Sequence, residues 1–194
     1  MNFIFDVGNV LVTYKPLQFL ERMYPDKKLA ERLYKVIFLS NEWQLMDQGL
    51  CTFKEATEAF CKCEPDMASA IRKIMQNVFD IFLPISEVIE LLPELKTRGH
   101  GLYYLSNIQH EIRDYLLEKN EFFELFDGGV FSCDVRIVKP SLGIYHRLLD
   151  EYHLIPEECI FFDDIMVNVE AASSVGIKGV LFTGIESAKP YFGM

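Results

Sequence analysis

The sequence has no long apolar run, no cluster of cations and no paired cysteines. Apolar stretches such as Val36-Ile37-Phe38-Leu39 and Gly179-Val180-Leu181-Phe182 fall far short of the roughly 18 residues that a membrane-spanning helix requires. No basic run of five or six residues occurs, and 29 acidic against 19 basic side chains leave a net charge of −10. That balance excludes nucleic acid and anionic membrane as expected partners, since both call for clustered positive charge. The opening residues Met1-Asn2-Phe3-Ile4-Phe5-Asp6 contain no cationic stretch and reach an acid early, so no secretory signal is expected. The five cysteines are odd in number, and Cys61 and Cys63, which flank one lysine, have no second ligand pair downstream. They are read as reduced thiols of a cytoplasmic protein. No repeat or low-complexity segment is evident.

What remains is a chain of 194 residues, half of them hydrophobic. That is one domain, or one domain with a large insertion, and enough apolar side chain for a sizeable core. Five short, nearly continuous apolar runs stand out: Asn2–Val7, Gly101–Ser106, Gly129–Cys133, Cys159–Asp163 and Lys178–Phe182. Continuous rather than alternating apolar character suits strands covered on both faces, as in a parallel sheet. Helical periodicity separates the later four, over Ser86–Arg98, Ile108–Glu118, Pro140–Tyr152 and Asn168–Val175. Strand alternating with helix predicts an α/β fold with a doubly wound parallel sheet.

Residues 14–85 break the alternation and read as helix after helix. Thr52-Phe53-Lys54-Glu55 is a capping box after the Gly49 turn, and Pro25-Asp26 and Pro65-Asp66 punctuate two more helices. Residues 13–85 carry 10 basic and 10 acidic side chains, so the whole net charge falls on the remainder. The predicted organisation is therefore an α/β core over residues 1–13 and 86–194, with a helical insert over 14–85.

Ligands of open parallel sheets gather beyond the carboxyl ends of the strands. There the sequence places Asp6, Gly8 and Asn9 after the first run and Ser106 and Asn107 after the second. Lys139 and Pro140 follow the third run after a short loop, and Asp163 and Asp164 end the fourth. Taken singly, each has a bland explanation as a turn or helix cap or a solvated loop cation. Taken together they do not. Acids directly after Phe3-Ile4-Phe5 and Ile160-Phe161-Phe162 are costly unless something cationic lies among them. Three carboxylates and one lysine leave two surplus negative charges, which one divalent cation neutralises. Oxygen ligands of this kind suit Mg²⁺, which often shares its sites with phosphates. Cation, lysine, hydroxyl and amides would hold a phosphoryl group that one carboxylate attacks.

In order, Phe3-Ile4-Phe5-Asp6-Val7-Gly8-Asn9-Val10-Leu11, Leu105-Ser106-Asn107, Lys139-Pro140 and Phe161-Phe162-Asp163-Asp164 resemble the four motifs of the haloacid dehalogenase-like hydrolases. The Asp-x-Gly-Asn-Val form resembles a bacterial sugar-phosphatase branch that includes enzymes acting on α-D-glucose 1-phosphate. It is also similar to the N-terminal phosphatase domain of soluble epoxide hydrolases. The resemblance implies a Mg²⁺-dependent phosphatase for small phosphorylated metabolites, sugars foremost, with the 14–85 segment as a cap over the site. It implies Asp6 as the nucleophile that becomes an aspartyl-phosphate. The Gly8 carbonyl and Asp164 would be direct metal ligands, and Asp163 a ligand through water or a support for its neighbour. Gly8, Asn9, Ser106 and Asn107 would line the phosphoryl group, and Lys139, aimed by the Pro140 loop, would neutralise charge on Asp6 and on that group.

One departure matters. Many phosphatases of this family carry a second aspartate two residues after the nucleophile, as general acid and base, and here Gly8 stands there. General acid–base help is worth about 10²–10⁴-fold, so a good leaving group, such as an anomeric or acyl phosphate, or a substrate that supplies its own proton is expected. The alternatives are a metal-free haloacid dehalogenase, opposed by the Asp163–Asp164 pair, and a phosphate-binding pseudo-enzyme. A phosphoreceiver domain is opposed by the late position of the acid pair and the size of the helical segment. Trp43, read mainly as packing, and Asp47 precede the Gly49 turn and are candidates to face the substrate. Thr13, Tyr14 and Lys15 are candidates for a hinge or substrate contact, and His110 reads as an exposed helix residue. Oligomeric state is not legible.

Overall fold

Phe3, Ile4 and Phe5 are consecutive and all fully buried, which an extended segment achieves only with cover on both faces. The computed structural model describes residues 1–193, Met194 lying outside them. The strands are β1 (Asn2–Phe5), β2 (Gly101–Ser106), β3 (Gly128–Phe131), β4 (Cys159–Asp163) and β5 (Lys178–Leu181). They form one parallel sheet in the order β3-β2-β1-β4-β5. This is the predicted doubly wound α/β fold, with ends shifted by a residue or two. β1 stops at Phe5 because the Val7 carbonyl turns aside to accept from the amides of Leu11 and Val12, each at 2.9 Å. β3 stops at Phe131 because Ser132 opens a short helix.

Between β1 and β2 run α1 (Pro16–Met23), α2 (Lys27–Phe38), α3 (Asn41–Asp47), α4 (Phe53–Cys63) and α5 (Ala68–Asn77). Local chemistry starts three of them. The Asp26 side chain accepts from the amides of Lys28 and Leu29, Ser40 caps α3, and Thr52 and Glu55 form the reciprocal capping box at α4. The chain then continues through α6 (Ser86–Ile89), α7 (Leu92–Thr97), α8 (His110–Lys119), α9 (Ser132–Val135), α10 (Leu142–Glu151), α11 (Met166–Ser174) and α12 (Ile185–Ala188). The single helix expected over Ser86–Arg98 is thus two, α6 and α7. Pro93 has no amide to bond the Ile89 carbonyl, so the ladder is interrupted between them.

Alternate residues of β1 feed two cores. Phe3 and Phe5 pack with Val88, Leu92, Ile112 and Phe162 on one face, where Phe5 and Phe162 stack with ring centroids 5.4 Å apart. Ile4 faces the other way, among Phe161, Ile144, Tyr145 and Ala172. The helical segment leaves and rejoins the sheet at adjacent points. Thr13 donates its hydroxyl to the Ile81 carbonyl at 2.6 Å and its backbone amide to the Leu83 carbonyl at 2.8 Å.

The segment touches the sheet side again at Gly49, whose φ is +65° and where a Cβ would sit 2.3 Å from the Cys133 carbonyl oxygen. Left-handed backbone costs an L-residue about 1–2 kcal/mol, and the collision with backbone adds to it. Gly49→Ala is therefore expected to lower stability by more than about 1 kcal/mol in urea unfolding, and an unchanged midpoint would contradict the contact.

Candidate active site

β1 and β4 lie side by side, in register from Asn2 opposite Cys159 to Phe5 opposite Phe162. The next residue of each strand, Asp6 and Asp163, therefore leaves the sheet at one level. The sheet order reverses here, since β1 leads to β2 and β3 on one side while β4 and β5 lie on the other. That reversal is where open α/β sheets form their crevice. Oxygens of Asp6, Asp163 and Asp164 lie within 4.8 Å of one another. Lys139, 5% exposed, reaches between two of them, with Nζ 2.9 Å from Asp6 Oδ1 and 2.6 Å from Asp163 Oδ2.

The three carboxylates differ in how they are held. Asp163 is saturated: besides Lys139 it accepts from the Ile165 amide at 2.8 Å and from Asn168 Nδ2 at 3.1 Å on both oxygens. Asp6 accepts from the Val7 amide and from Lys139. Asp164 accepts from Asn9 Nδ2 at 2.9 Å. No hydrogen bond among the described residues occupies the Gly8 carbonyl.

Electrostatically the group is short of positive charge. Burial raises the Asp6 carboxyl to about 7. Lys139 offsets part of that rise, and Asp163 and Asp164 add to it. Burial likewise raises Asp164, partly offset by the Asn9 hydrogen bond. Burial alone would lower Lys139, but Asp6 and Asp163 hold its ammonium above the ordinary value. A hard divalent cation among these oxygens and the Gly8 carbonyl would relieve the imbalance, so the donor set fits Mg²⁺.

A cavity of about 230 Å³ opens over the group. Asp6, Gly8, Asn9, Ser106, Asn107, Lys139 and Asp164 all line it, so the sequence candidates converge as expected, while Asp163 lies fully buried beneath. The Ser106 hydroxyl has no hydrogen-bond partner among the described residues and is free for a ligand. The side chains of Asn107 and Asn9 are otherwise engaged. Asn107 clamps the backbone of Lys139, accepting from its amide at 2.8 Å and donating to its carbonyl at 3.0 Å. Asn9, at φ +56°, joins Asp164 to the Tyr14 amide. The Asn9 main-chain amide is engaged too, donating to the Val12 carbonyl at 2.6 Å, so of the two main-chain amides that of Asn107 is the one left to meet a phosphoryl group.

The cavity is lined as well by Tyr14, Trp43, Asp47, Phe82, Ile108 and Gln109. Tyr14 and Asp47 thus face the cavity, and Trp43 does so while also packing on Phe38 at 4.6 Å. Thr13 ties the two crossings, Lys15 lines a separate surface groove, and His110 lies 3.7 Å from Asp134 outside the cavity. Gln109 and Phe82 are unmarked in the sequence because their partners, Asp47 and Tyr14, lie far away in the chain, whereas Asn168, five residues after its partner Asp163, reads there only as the start of a helix. Gln109 Nε2 donates to Asp47 Oδ1 at 2.7 Å, across 62 residues.

The haloacid dehalogenase-like hydrolase family model matches residues 1–176. The chain belongs to that family, and its class is hydrolase. Among its relatives is the sesquiterpene phosphatase astK of Aspergillus oryzae, 28% identical over 93% of this chain and 88% of that protein. A phosphorylated carbohydrates phosphatase of Thermotoga maritima is 27% identical over 91% and 82%. A haloacid dehalogenase family enzyme of Bacteroides thetaiotaomicron, solved with magnesium and inorganic phosphate, superimposes with a TM-score of 0.70, at 18% identity over 91% of both chains. Among the described residues no helix is long and apolar enough to cross a membrane.

Burial raises the Asp47 carboxyl from 3.8 to about 7, with no cation offsetting the shift. Tyr14 is the titratable group facing it, and Gln109 supplies an uncharged amide. Between those two values the folded chain keeps a proton that the unfolded chain releases, so this carboxyl's contribution to stability falls as pH rises through that window. Asp47→Asn removes that part of the fall. Urea unfolding of both proteins at about pH 5 and about pH 7.5 should give a shallower pH dependence for the variant, and equal dependences would contradict the burial.

Proposed function

We propose that this hydrolase is a Mg²⁺-dependent phosphatase of small phosphorylated metabolites, sugar phosphates foremost. The observation that carries the reading is a buried cluster of three carboxylates and one lysine, short of positive charge and opening on a cavity beside a free hydroxyl. Magnesium bound by Asp6, the Gly8 carbonyl and Asp164 would neutralise the surplus charge and polarise the phosphoryl group. Asp164 is the better candidate than Asp163 for direct ligation, because Asp163 already meets Lys139, Ile165 and Asn168.

In this reading Ser106 and the backbone of Asn107 bind phosphoryl oxygens. Lys139, immobilised by Asn107, holds Asp6 in line and balances charge as it develops. An Asp6 oxygen attacks phosphorus, and the bond to the leaving oxygen breaks. Water then cleaves the aspartyl-phosphate, returning the electron pair to Asp6 and releasing inorganic phosphate. The helical segment over 14–85 acts as a cap that shapes the roof and excludes water during the first step. Its neutral charge suits an uncharged substrate body. The acid pair opposes dehalogenation, since it would repel an anionic haloacid. Five free thiols suit a cytoplasmic site of action, and the acidic surface disfavours nucleic acid and anionic membrane as partners.

The roof favours a second substrate reading. Tyr14, Trp43, Phe82 and Ile108 offer an apolar, largely aromatic wall, which would accept the monophosphate of an isoprenoid alcohol, the chemistry named for the Aspergillus relative. An aldose 1-phosphate and a sesquiterpenyl monophosphate, compared by kcat/KM, separate the two. With Mg²⁺ present, release of phosphate from p-nitrophenyl phosphate or acetyl phosphate is expected. Asp6→Asn should cut it by about 10³-fold or more, and chelation should abolish it. Undiminished turnover in the variant would overturn the mechanism.

A further inference from the structure

Gly8 leaves the nucleophile's loop without a proton donor, yet the cavity contains one more carboxyl. Asp47 is the last residue of α3 and lines the same cavity as Asp6, Ser106 and Lys139. It is fixed from two sides by residues outside the helical segment. Ser132 Oγ donates to the Asp47 backbone carbonyl at 2.5 Å, and Gln109 Nε2 donates to side-chain Oδ1 at 2.7 Å. Gln109 is itself 3% exposed. The other oxygen, Oδ2, has no hydrogen-bond partner among the described residues, and no buried side-chain oxygen or nitrogen among them lacks one. Oδ2 is therefore not sealed from solvent, and Asp47 lines the cavity. Tyr14, Trp43, Phe82 and Ile108 line the same cavity, and Asp47 has no salt bridge among the described residues.

An acid set into an aromatic wall without a cation is destabilising unless it is protonated or used. Tyr14 and Gln109 do not neutralise it, and Gln109 Nε2 and Ser132 Oγ hold its side chain and its backbone carbonyl. We propose that Asp47 is the general acid and base of the phosphatase reaction, acting from the cap in place of the carboxylate that Gly8 lacks. The inference rests on the phosphatase reading. In the first step the Asp47 carboxylic acid gives its proton to the leaving oxygen as the bond from phosphorus to that oxygen breaks. In the second step the Asp47 carboxylate takes a proton from the attacking water as the bond from phosphorus to Asp6 breaks. Asp47 ends protonated again. A carboxyl held near neutrality by burial suits both roles. The assignment also removes the need for an acidic leaving group, because the alcohol need not depart as an alkoxide.

The test uses two esters of similar size, p-nitrophenyl phosphate, whose leaving group needs no proton, and benzyl phosphate, whose alkoxide does. With Mg²⁺, the unmodified chain should hydrolyse both with kcat/KM values within about a hundredfold of each other. A steep preference for p-nitrophenyl phosphate beyond that would overturn the role without recourse to any variant. In kcat/KM, which reads departure of the leaving group, Asp47→Asn should lose about 10²–10⁴-fold on benzyl phosphate and less than about tenfold on p-nitrophenyl phosphate, and Asp47→Glu should recover part of the benzyl activity, while hydrolysis of the shared aspartyl-phosphate should slow alike for both esters. Equal losses in kcat/KM on both esters, or none, would mean that Asp47 only shapes the cavity. Turnover of neither ester by the unmodified chain would remove the phosphatase reading and this role together. Turnover that is insensitive to Asp47→Asn but lost in Asp6→Asn would remove this role alone.

Discussion

The molecule is organised around the burial of Asp6 and Asp163 against a single ammonium. Two acids at the ends of adjacent strands, with Asp164 beside them, would repel one another were Lys139 not 2.9 Å and 2.6 Å from them. Most neighbouring features serve that meeting. The parallel register of β1 and β4 brings both strands to the rim at one height. Asn107 holds the Lys139 backbone by both of its polar atoms. Asn168 occupies both oxygens of Asp163, so the buried acid has no unpaired lone pair that would force the site open. Even so the balance is incomplete, and that deficit is what the proposed cation would make good.

Much of this could be read in advance because the sequence spells out local rules. Continuous apolar runs marked all five strands, since each is covered on both faces. The chemistry at their ends followed from strand direction alone. The Thr52–Glu55 capping box and the Asp26 cap were legible because their partners lie within a few residues. Two kinds of feature were not. Helical periodicity over Ser86–Arg98 concealed the break between α6 and α7, which depends on one missing amide at Pro93 rather than on the apolar pattern. The second work of Asn9 and Asn107 was also hidden. Both sit in motifs that suggest phosphate binding, yet their side chains bind Asp164, the Tyr14 amide and the Lys139 backbone instead.

Asp47 lay between these cases. Its place before the Gly49 turn made it a candidate, but nothing in the sequence links it to Gln109 or Ser132, which are 62 and 85 residues away. Only the fold shows that it is clamped by residues from outside its own helical segment and left with one open oxygen. In the proposed mechanism the work would be divided between two layers. The nucleophile and its charge balance would belong to the sheet rim, and the proton source to the helical segment that carries Asp47.

Thr13 pins the outgoing and returning crossings side by side, with Val12 bridged to Pro84 across them. Whatever runs between Thr13 and Leu83 therefore begins and ends at one point on the sheet, and its length and shape place no demand on strand register. Such a junction makes the roof modular. Helices between the crossings can differ without shifting strand register, but the one that carries Asp47 must still reach Gln109 and Ser132.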